Sequence, residues 1–359
     1  MLQFNSLMTA ENRRAAIRYF FHRPPWPFII WLIIFYVSWL TFVSNLSLWD
    51  EVRSHWPISV AMAAGSYFAG STPMGGGTVG FPVLVLLFDM PASLGRNFGL
   101  AVQSIGMTSA SIYILAARRA IDWGLLKPAL LGSLVATPLG AAFIAPYAPD
   151  LGVKLLFATI WASFGIIHFA KIKAIVAPDA QRAPDARLDT PVGLFVGFVG
   201  GVVAALTGVG IDMMIYAALV LFYRSDIKSA IPTSVILMAF TSIVGIASNV
   251  ALSRADPALY AVDPEVFYNW LAAAPVVALG APFGAIIVQQ LPRKPTLLIV
   301  SALCIGQFVW TLFAEQVTGW PLAGALAAVL ILNLFFLYLF RTGERRKSAA
   351  PEALAEEKT

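Results

Sequence analysis

Long apolar blocks that carry almost no charge are the feature that most limits how this chain can fold. Blocks such as 27–46, 94–116 and 321–340 are each close to the roughly 20 residues that a helix needs to cross the core of a bilayer. Only 12% of the residues are charged and 59% are hydrophobic, whereas soluble domains carry about 25% charged residues. Strands of a membrane barrel would be about half as long and would alternate in polarity. The sequence therefore predicts an all-α integral membrane protein, a polytopic helical bundle.

The charges between these blocks assign a side of the membrane to each loop. An arginine-rich arm precedes the first block, and the positive-inside rule places this arm, and by counting spans the C-terminus, in the cytoplasm. The excess of 24 basic over 19 acidic residues is typical of cytoplasmic loops that contact membrane lipid, and it does not indicate nucleic-acid binding. We predict a cytoplasmic arm (1–25), a first span with its external loop (26–57), a first repeat (58–171), a polar cytoplasmic linker (172–191), a second repeat (192–315), a last span (316–340) and a disordered cytoplasmic tail (341–359).

Besides about eight full spans, the sequence has two pairs of short apolar pieces. The pieces 58–70 and 79–88 flank a Gly-rich break, and the pieces 192–206 and 213–222 flank a second one. Each piece covers about half of the bilayer core, which predicts re-entrant or broken helix pairs. If each pair returns to the side that it entered from, the two halves form an inverted-topology repeat. One constant offset aligns Pro73 with Gly208 and Asn97 with Pro232.

The two breaks predict a central binding site. Irregular backbone at membrane depth persists only where protein encloses it or where it lines a wet cavity. Glycines expose backbone N–H groups, and the helix N-termini after each break would direct positive dipole ends at a solute, so an anion is favoured. The alternative is that these small residues only let helices pack closely. The candidate binding residues in the breaks are Pro73, Gly75, Gly76, Gly77, Gly208 and Gly210.

Asp212 is an acid within a strongly apolar stretch. Placing a carboxylate near the bilayer centre costs about 3 kcal/mol or more in free energy, so an acidic residue there is expected to have a function. It either carries a proton that couples solute movement to a proton gradient, or it caps the second half-helix. Both roles are compatible.

A polar stripe follows the first break. Arg96 and Asn97 precede Gln103 by two helical turns, which places all three on roughly one face of a helix. We predict that they line the cavity, although Arg96 would alternatively be an interfacial anchor paired with Asp89. In the second half, Thr233 and Ser234 would add hydroxyls to the cavity, or would bond the backbone of their own helix.

Enzymatic and metal chemistry find no support in the sequence. The histidines His22, His55 and His168 have no metal-ligand spacing, and no phosphate-binding loop of the type G-x-x-x-x-G-K-[ST] occurs. Cys304 is the one cysteine, so no internal disulfide can form. We therefore predict no catalytic residue, metal or cofactor, and a secondary transporter for a small solute. The alternatives are an anion channel and, less favoured, a membrane-embedded enzyme. The sequence does not decide whether the protein forms a homo-oligomer.

The segment 71–84, Ser-Thr-Pro-Met-Gly-Gly-Gly-Thr-Val-Gly-Phe-Pro-Val-Leu, resembles the sulfite exporter TauE/SafE family. The segments 208–212 and 231–235 are similar to a second copy of its motif, and the resemblance extends over about 59–312. It implies export of a small sulfur-containing anion, such as sulfite, sulfoacetate or another organosulfonate, across a bacterial inner membrane without ATP. Ile211 and Asp212 replace two glycines of the family pattern, so the two halves are not equivalent.

Overall fold

The computed structural model describes residues 25–72, 77–176, 185–287 and 293–356, and these ranges contain helices and no strand. The prediction of an all-α protein is confirmed. The helices are α1 (Trp26–Asn45), α2 (Trp49–Ser54), α3 (Trp56–Ser71), α4 (Gly77–Pro82), α5 (Ala92–Ala116), α6 (Trp123–Phe143), α7 (Asp150–Val176), α8 (Ala186–Thr207), α9 (Ile211–Ala217), α10 (Ile227–Ala255), α11 (Pro257–Tyr260), α12 (Pro264–Ile287), α13 (Arg293–Ala314) and α14 (Gly319–Glu356).

Nine helices in the described part of the chain are long and apolar enough to cross a membrane, one more than predicted. The additional one is α8, which was predicted as a half-length piece beginning at residue 192. Its start is earlier because the Asp185 carboxylate accepts a hydrogen bond from Arg187 N at 3.2 Å, which caps the helix end. Its 22 residues span about 33 Å at 1.5 Å per residue, so α8 is long enough for a full span.

Two predicted polar segments are shorter than expected. Helix α7 continues to Val176 and α8 begins at Ala186, so helix occupies both ends of the predicted linker 172–191. Helix α14 continues to Glu356, and the prediction of a disordered tail from residue 341 was wrong for the described part of it. Alanine, glutamate and arginine, which dominate this tail, are strong helix formers.

Both short-helix pairs end in the same backbone geometry. Helix α4 continues as a π-helical turn, Val83–Leu87, and α9 continues as Ala218–Phe222. These turns are separated by the same offset as Pro73 and Gly208. After each turn comes a residue with φ 54° in the left-handed region, Asp89 in the first half and Arg224 in the second. Two segments with little sequence identity thus share one local fold.

The first helix of each half packs against the other half. Helix α8 lies along α6, and α3 lies along α12. These approaches are close, because a Cβ on Gly197 of α8 would overlap the carbonyl oxygen of Ala129 in α6. Helices α5 and α10 run antiparallel between them, and α5 is the most enclosed of the nine candidate spans, with 72% of its apolar window buried. Helix α5 is therefore the central element.

The helix ends lie at two faces. The Asp150 face carries the loops 88–91, 144–149 and 256–263, and there the Asp150 carboxylate accepts a hydrogen bond from Ala92 N at 2.6 Å. The Asp122 face carries the loops 117–122 and 223–226, and there the Asp122 N–H donates to Thr233 Oγ1 at 2.9 Å. Between the faces, α1 and α14 expose most of their apolar side chains, as helices that contact lipid do.

Candidate functional site

A cavity of about 320 Å³ opens at the Asp150 face. We call it the vestibule. Its walls are the first turns of α5, the segment that joins α6 to α7, and the end of α10 with α11. The lining residues are Ala92, Ser93, Arg96, Asn97, Ala141, Ala145, Pro146, Ala148, Asp150, Val153, Leu206, Asn249, Leu259, Tyr260, Ala261 and Val262. The vestibule thus enters the bundle beside its central helix.

Polar side chains gather in one wall of the vestibule. Asn249 Nδ2 of α10 donates a hydrogen bond of 2.7 Å to Asn97 Oδ1 of α5, and both side chains are buried. Arg96 lies one residue before Asn97 and is partly buried. No carboxylate of the described residues lies within 4.0 Å of its guanidinium, and its Nε has no hydrogen-bond partner among them. The alternative pairing of Arg96 with Asp89 is therefore not present, and Asp89 is exposed.

The second Gly-rich break lies against α5 beside the vestibule, where Leu206 is part of the wall. Gly208 ends α8 with φ 81°, a left-handed conformation in which glycine avoids the strain of a side chain. A Cβ at this position would overlap the carbonyl oxygen of Arg96. Gln103 Nε2 donates to Gly208 O at 2.9 Å and to Gly99 O at 3.1 Å. The break is therefore bound directly to the polar stripe of α5.

Asp212 is fully enclosed at the start of α9, with 1% of its surface exposed. Gly210, with φ 107°, occupies the cap position, and Asp212 is the second residue of the helix. Its Oδ1 accepts hydrogen bonds from Gly210 N at 3.2 Å and from Met213 N at 3.0 Å. Asp212 is therefore not the capping residue itself, although its carboxylate does bind the backbone at the helix start. Its Oδ2 is buried without a partner in the described residues.

Part of the first break lies outside the described residues. Pro73, Gly75 and Gly76 fall there, and Gly77 is the first residue of α4. The helix after the break is connected to the second break through aromatic rings. Phe81 stacks on Phe157 with centroids 4.4 Å apart, and Phe157 stacks on Trp161 at 4.1 Å. A Cβ on Gly210 would lie 3.4 Å from the Trp161 ring, so this ring packs against the second break.

Thr233 and Ser234 do not line the vestibule. They are near the start of α10 at the Asp122 face, whereas Asn249 is near its other end. Thr233 Oγ1 donates to Ser229 O at 2.7 Å, and Ser234 Oγ donates to Ile231 O at 2.9 Å. Both hydroxyls thus bond the backbone of their own helix, as the alternative interpretation expected. The structure brings Arg96, Asn97, Gln103 and Gly208 together and does not bring these two hydroxyls to them.

Asn249 was missed by the sequence reasoning. The available signal was an amide side chain inside an apolar block, since polar residues within spans are commonly functional or paired. Its partner Asn97 is 152 residues away, and no local pattern links the two.

Comparison with protein-family models gave a match to the sulfite exporter TauE/SafE family over residues 57–311. Comparison with curated proteins and comparison with solved structures gave no significant match. The family match covers most of the chain, including both short-helix pairs, α5 and the vestibule. The resemblance stated from the sequence motifs is thereby confirmed. This chain belongs to the sulfite exporter TauE/SafE family, whose members are membrane transporters of sulfur-containing anions and not enzymes.

Proposed function

We propose that this protein is a secondary transporter that exports a small sulfur-containing anion, such as sulfite, sulfoacetate or another organosulfonate, by alternating access. One observation carries the proposal, namely that Arg96 in the wall of the vestibule has no carboxylate within 4.0 Å among the described residues. A partly buried cation without a carboxylate partner is costly, and a bound anion would compensate it. Guanidinium groups bind tetrahedral and trigonal oxyanions through paired N–H donors. The Asn97 and Asn249 amides provide further polar contacts beside it.

The charges at the two faces support an orientation. The Asp150 face is rich in acids, including Asp50, Glu51, Asp256, Asp263 and Glu265. Basic residues are concentrated at the Asp122 face, including Arg118, Arg119, Lys127, Arg187 and Lys228. Under the positive-inside rule the Asp122 face and both termini are cytoplasmic, and the membrane is the inner membrane of a bacterium. The vestibule then opens to the outside, as expected for the outward-facing state of an exporter.

The two halves also support alternating access. The matched π-helical turns after each break are expected if the halves are repeats of inverted topology, in which one repeat moves against the other around a fixed site. The Gln103 contact with Gly208 joins α5 to the second break, and the ring stack from Phe81 to Trp161 joins α4 to it. We propose that these contacts close the path towards the Asp122 face and that they rearrange when the site opens to the cytoplasm.

Asp212 is the proposed coupling group. Its buried carboxylate lies at the second break, directly after the turn formed by Gly208 and Gly210. Binding a proton would remove its charge, and a conformational change that depends on this charge would link anion export to the proton gradient. Because an anionic carboxylate repels an anionic solute, protonation of Asp212 would also favour occupancy of the site.

The proposal is tested with the purified full-length protein in proteoliposomes. Labelled sulfite, sulfoacetate and thiosulfate are offered with and without a pH gradient, to the wild type, to Asp212→Asn and to a control, Asp50→Asn, in which the lost acid is almost fully exposed. We expect one of the anions to move, with gradient-driven accumulation lost only in Asp212→Asn and exchange kept. If no anion moves in the wild type, the substrate proposal is wrong. Single-channel currents in planar bilayers would instead identify an anion channel.

A further inference from the structure

A second cavity, of about 670 Å³, runs along α12 at the surface of the bundle. Helix α12 forms most of it, and α3 and the start of α1 complete its walls. We call it the α12 groove. Its lining includes Phe28, Ala63, Pro275, Leu279, Phe283 and Ile286. Leu279 and Phe283 have 50% and 54% of their surface exposed, so the groove is open on the side that faces lipid.

The α12 groove is about as long as one leaflet of the bilayer is deep. From Pro275 to Ile286 the helix rises about 17 Å at 1.5 Å per residue, close to half of the roughly 30 Å hydrocarbon core. Near the Pro275 end, the Tyr36 hydroxyl of α1 donates to the Pro275 carbonyl at 2.5 Å. Helix α12 starts at the Asp150 face, so the Ile286 end of the groove lies at the Asp122 face.

The lining of the α12 groove presents apolar surface. Ser66 alone among the lining residues has a polar side chain, and its hydroxyl donates to Ala63 O of its own helix at 3.4 Å. Pro275 has no N–H, so it cannot bond Leu271 O one turn earlier. That carbonyl instead accepts from Trp39 Nε1 at 3.0 Å. A hydrocarbon chain is therefore the occupant that matches this lining.

A basic side chain lies near the Asp122-face end of the α12 groove. Phe28 packs edge-on against Tyr113 of α5, with ring centroids 5.6 Å apart, and Ile286 belongs to the same apolar cluster. The Tyr113 hydroxyl accepts a hydrogen bond of 3.5 Å from Arg119 Nη2. No described carboxylate lies within 4.0 Å of the Arg119 guanidinium, and its Nε is buried without a partner in the described part of the chain. The described residues thus leave the charge of Arg119 uncompensated.

The same end of the α12 groove lies at the level of lipid headgroups. Trp26, the first residue of α1, is 63% exposed and precedes Phe28 by two residues. Tryptophans of membrane spans concentrate at the interface between hydrocarbon and water. A guanidinium binds a phosphate group through paired N–H donors, and the Tyr113 hydroxyl keeps its own proton as a further donor. An anionic headgroup would compensate Arg119 there.

We propose that the α12 groove binds an acyl chain of an anionic phospholipid and that Arg119 binds the headgroup of the same lipid. Under the proposed orientation this lipid belongs to the cytoplasmic leaflet. Two other occupants match less well. The arm before α1 carries four arginines between residues 13 and 23, which an apolar groove cannot solvate. A second copy in a two-fold dimer would present the same apolar face and the same arginine, so it would not compensate the charge.

The first test is native mass spectrometry of the purified full-length protein. Dioleoyl phosphatidylglycerol and dioleoyl phosphatidylethanolamine are offered in equal amounts. We expect about fivefold more bound phosphatidylglycerol, the contribution of one basic residue near an anionic lipid. In Arg119→Gln this preference should disappear while both lipids still bind. The control Lys228→Gln removes an exposed lysine at the same face and should keep the preference. An unchanged preference in Arg119→Gln would overturn the proposal.

The same measurement on Ala63→Phe tests the part of the site that binds the acyl chain. Ala63 is exposed on α3, and a ring there would fill part of the α12 groove. We expect the binding of both lipids to fall by about tenfold, as losing the burial of two CH₂ groups would cause. The control Ala327→Phe adds the same ring to an exposed position on α14 and should bind as the wild type does. Equal lipid binding by the two variants would contradict the assignment of the groove.

A third measurement identifies the occupant with the groove unfilled. Phe283 is replaced by p-benzoylphenylalanine, and the protein is irradiated in vesicles with equal amounts of the two lipids. The control position is Phe195 of α8, a ring that is 61% exposed. We expect lipid adducts at position 283 to be enriched in phosphatidylglycerol, with no enrichment at position 195 or in the Arg119→Gln background. A cross-link to the arm 1–24 or to a second copy would identify a different occupant and overturn the proposal.

Discussion

The Gln103 side-chain amide donates a 2.9 Å hydrogen bond to the carbonyl oxygen of Gly208, and this bond joins the central helix α5 to the second Gly-rich break. The same amide also bonds Gly99 O, so its position is fixed by α5. Because unwound backbone inside a membrane protein requires such partners, Gln103 both stabilises the break and defines its distance from Arg96 and Asn97.

Replacing Gln103 with leucine removes the donor and leaves the Gly208 carbonyl without its partner. We expect a loss of about 1–3 kcal/mol in stability, observed as a lower midpoint of thermal unfolding, together with a clear loss of anion flux. The matched control is Ser104→Ala, because the Ser104 hydroxyl donates only within its own helix, to Ala101 O. Equal behaviour of the two variants would show that the Gln103 contact is not needed.

The variant Gly208→Ala tests the geometry of the break. The left-handed conformation costs a residue with a Cβ about 1–2 kcal/mol, and the added methyl would in addition overlap the carbonyl oxygen of Arg96. We expect reduced thermal stability and loss of transport. Gly306→Ala is the control, since a Cβ there meets open space, and in a helix it should be neutral or stabilising by up to about 1 kcal/mol. Full activity of Gly208→Ala would contradict the structure of the break.

Lys154 stabilises the wall of the vestibule. It is 7% exposed, and its Nζ contacts Asp150 Oδ2 at 2.9 Å and Glu315 Oε1 at 2.8 Å. Lys154→Met leaves both carboxylates without their cation, and we expect a loss of about 2 kcal/mol. In the double variant with Glu315→Gln, part of this loss should be recovered, which a double-mutant cycle measures. Arg53→Met, from a largely exposed pair, should have no measurable effect. Additive single losses would contradict the proposed network.

Accessibility of the vestibule can be measured with cysteine chemistry. Cys304 is buried, so Cys304→Ser provides a background without reactive thiols. In that background we expect Ser93→Cys to react with a membrane-impermeant maleimide from the external side, and sulfoacetate to slow this reaction. Lys228→Cys, exposed at the Asp122 face, should react only from the cytoplasmic side. Reaction of Ser93→Cys from the cytoplasmic side alone would reverse the proposed orientation.

Much of the fold follows from local features of the sequence, because the length and polarity of a block are sufficient to predict a span. The start of α8 was not predicted, since residues 186–191 include Arg187, Asp189 and Thr190 and the bond from Arg187 N to Asp185 depends on local geometry. The π-helical turns were not predicted either. They depend on hydrogen bonds between residues five apart, such as Phe88 N to Val83 O, for which no composition signal exists.

The site was predictable only where it depends on one helix. Arg96, Asn97 and Gln103 follow from helical spacing, and the glycines of the second break follow from their position between two short apolar pieces. Contacts between distant helices were beyond such reasoning. Asn249 and Asn97, for example, are joined by a hydrogen bond, and their separation in sequence is set by the packing of the bundle.

The most direct test of the account is the flux of labelled sulfite, sulfoacetate and thiosulfate in proteoliposomes carrying Arg96→Gln. The control is Arg254→Gln, an exposed arginine near the Asp150 face. If Arg96 compensates the charge of the bound anion, removing it should reduce flux at low anion concentration by about 10²-fold, the size expected for losing one charged hydrogen-bonding partner, while the control keeps wild-type flux. Wild-type flux in Arg96→Gln would contradict the central claim that the vestibule is the anion site.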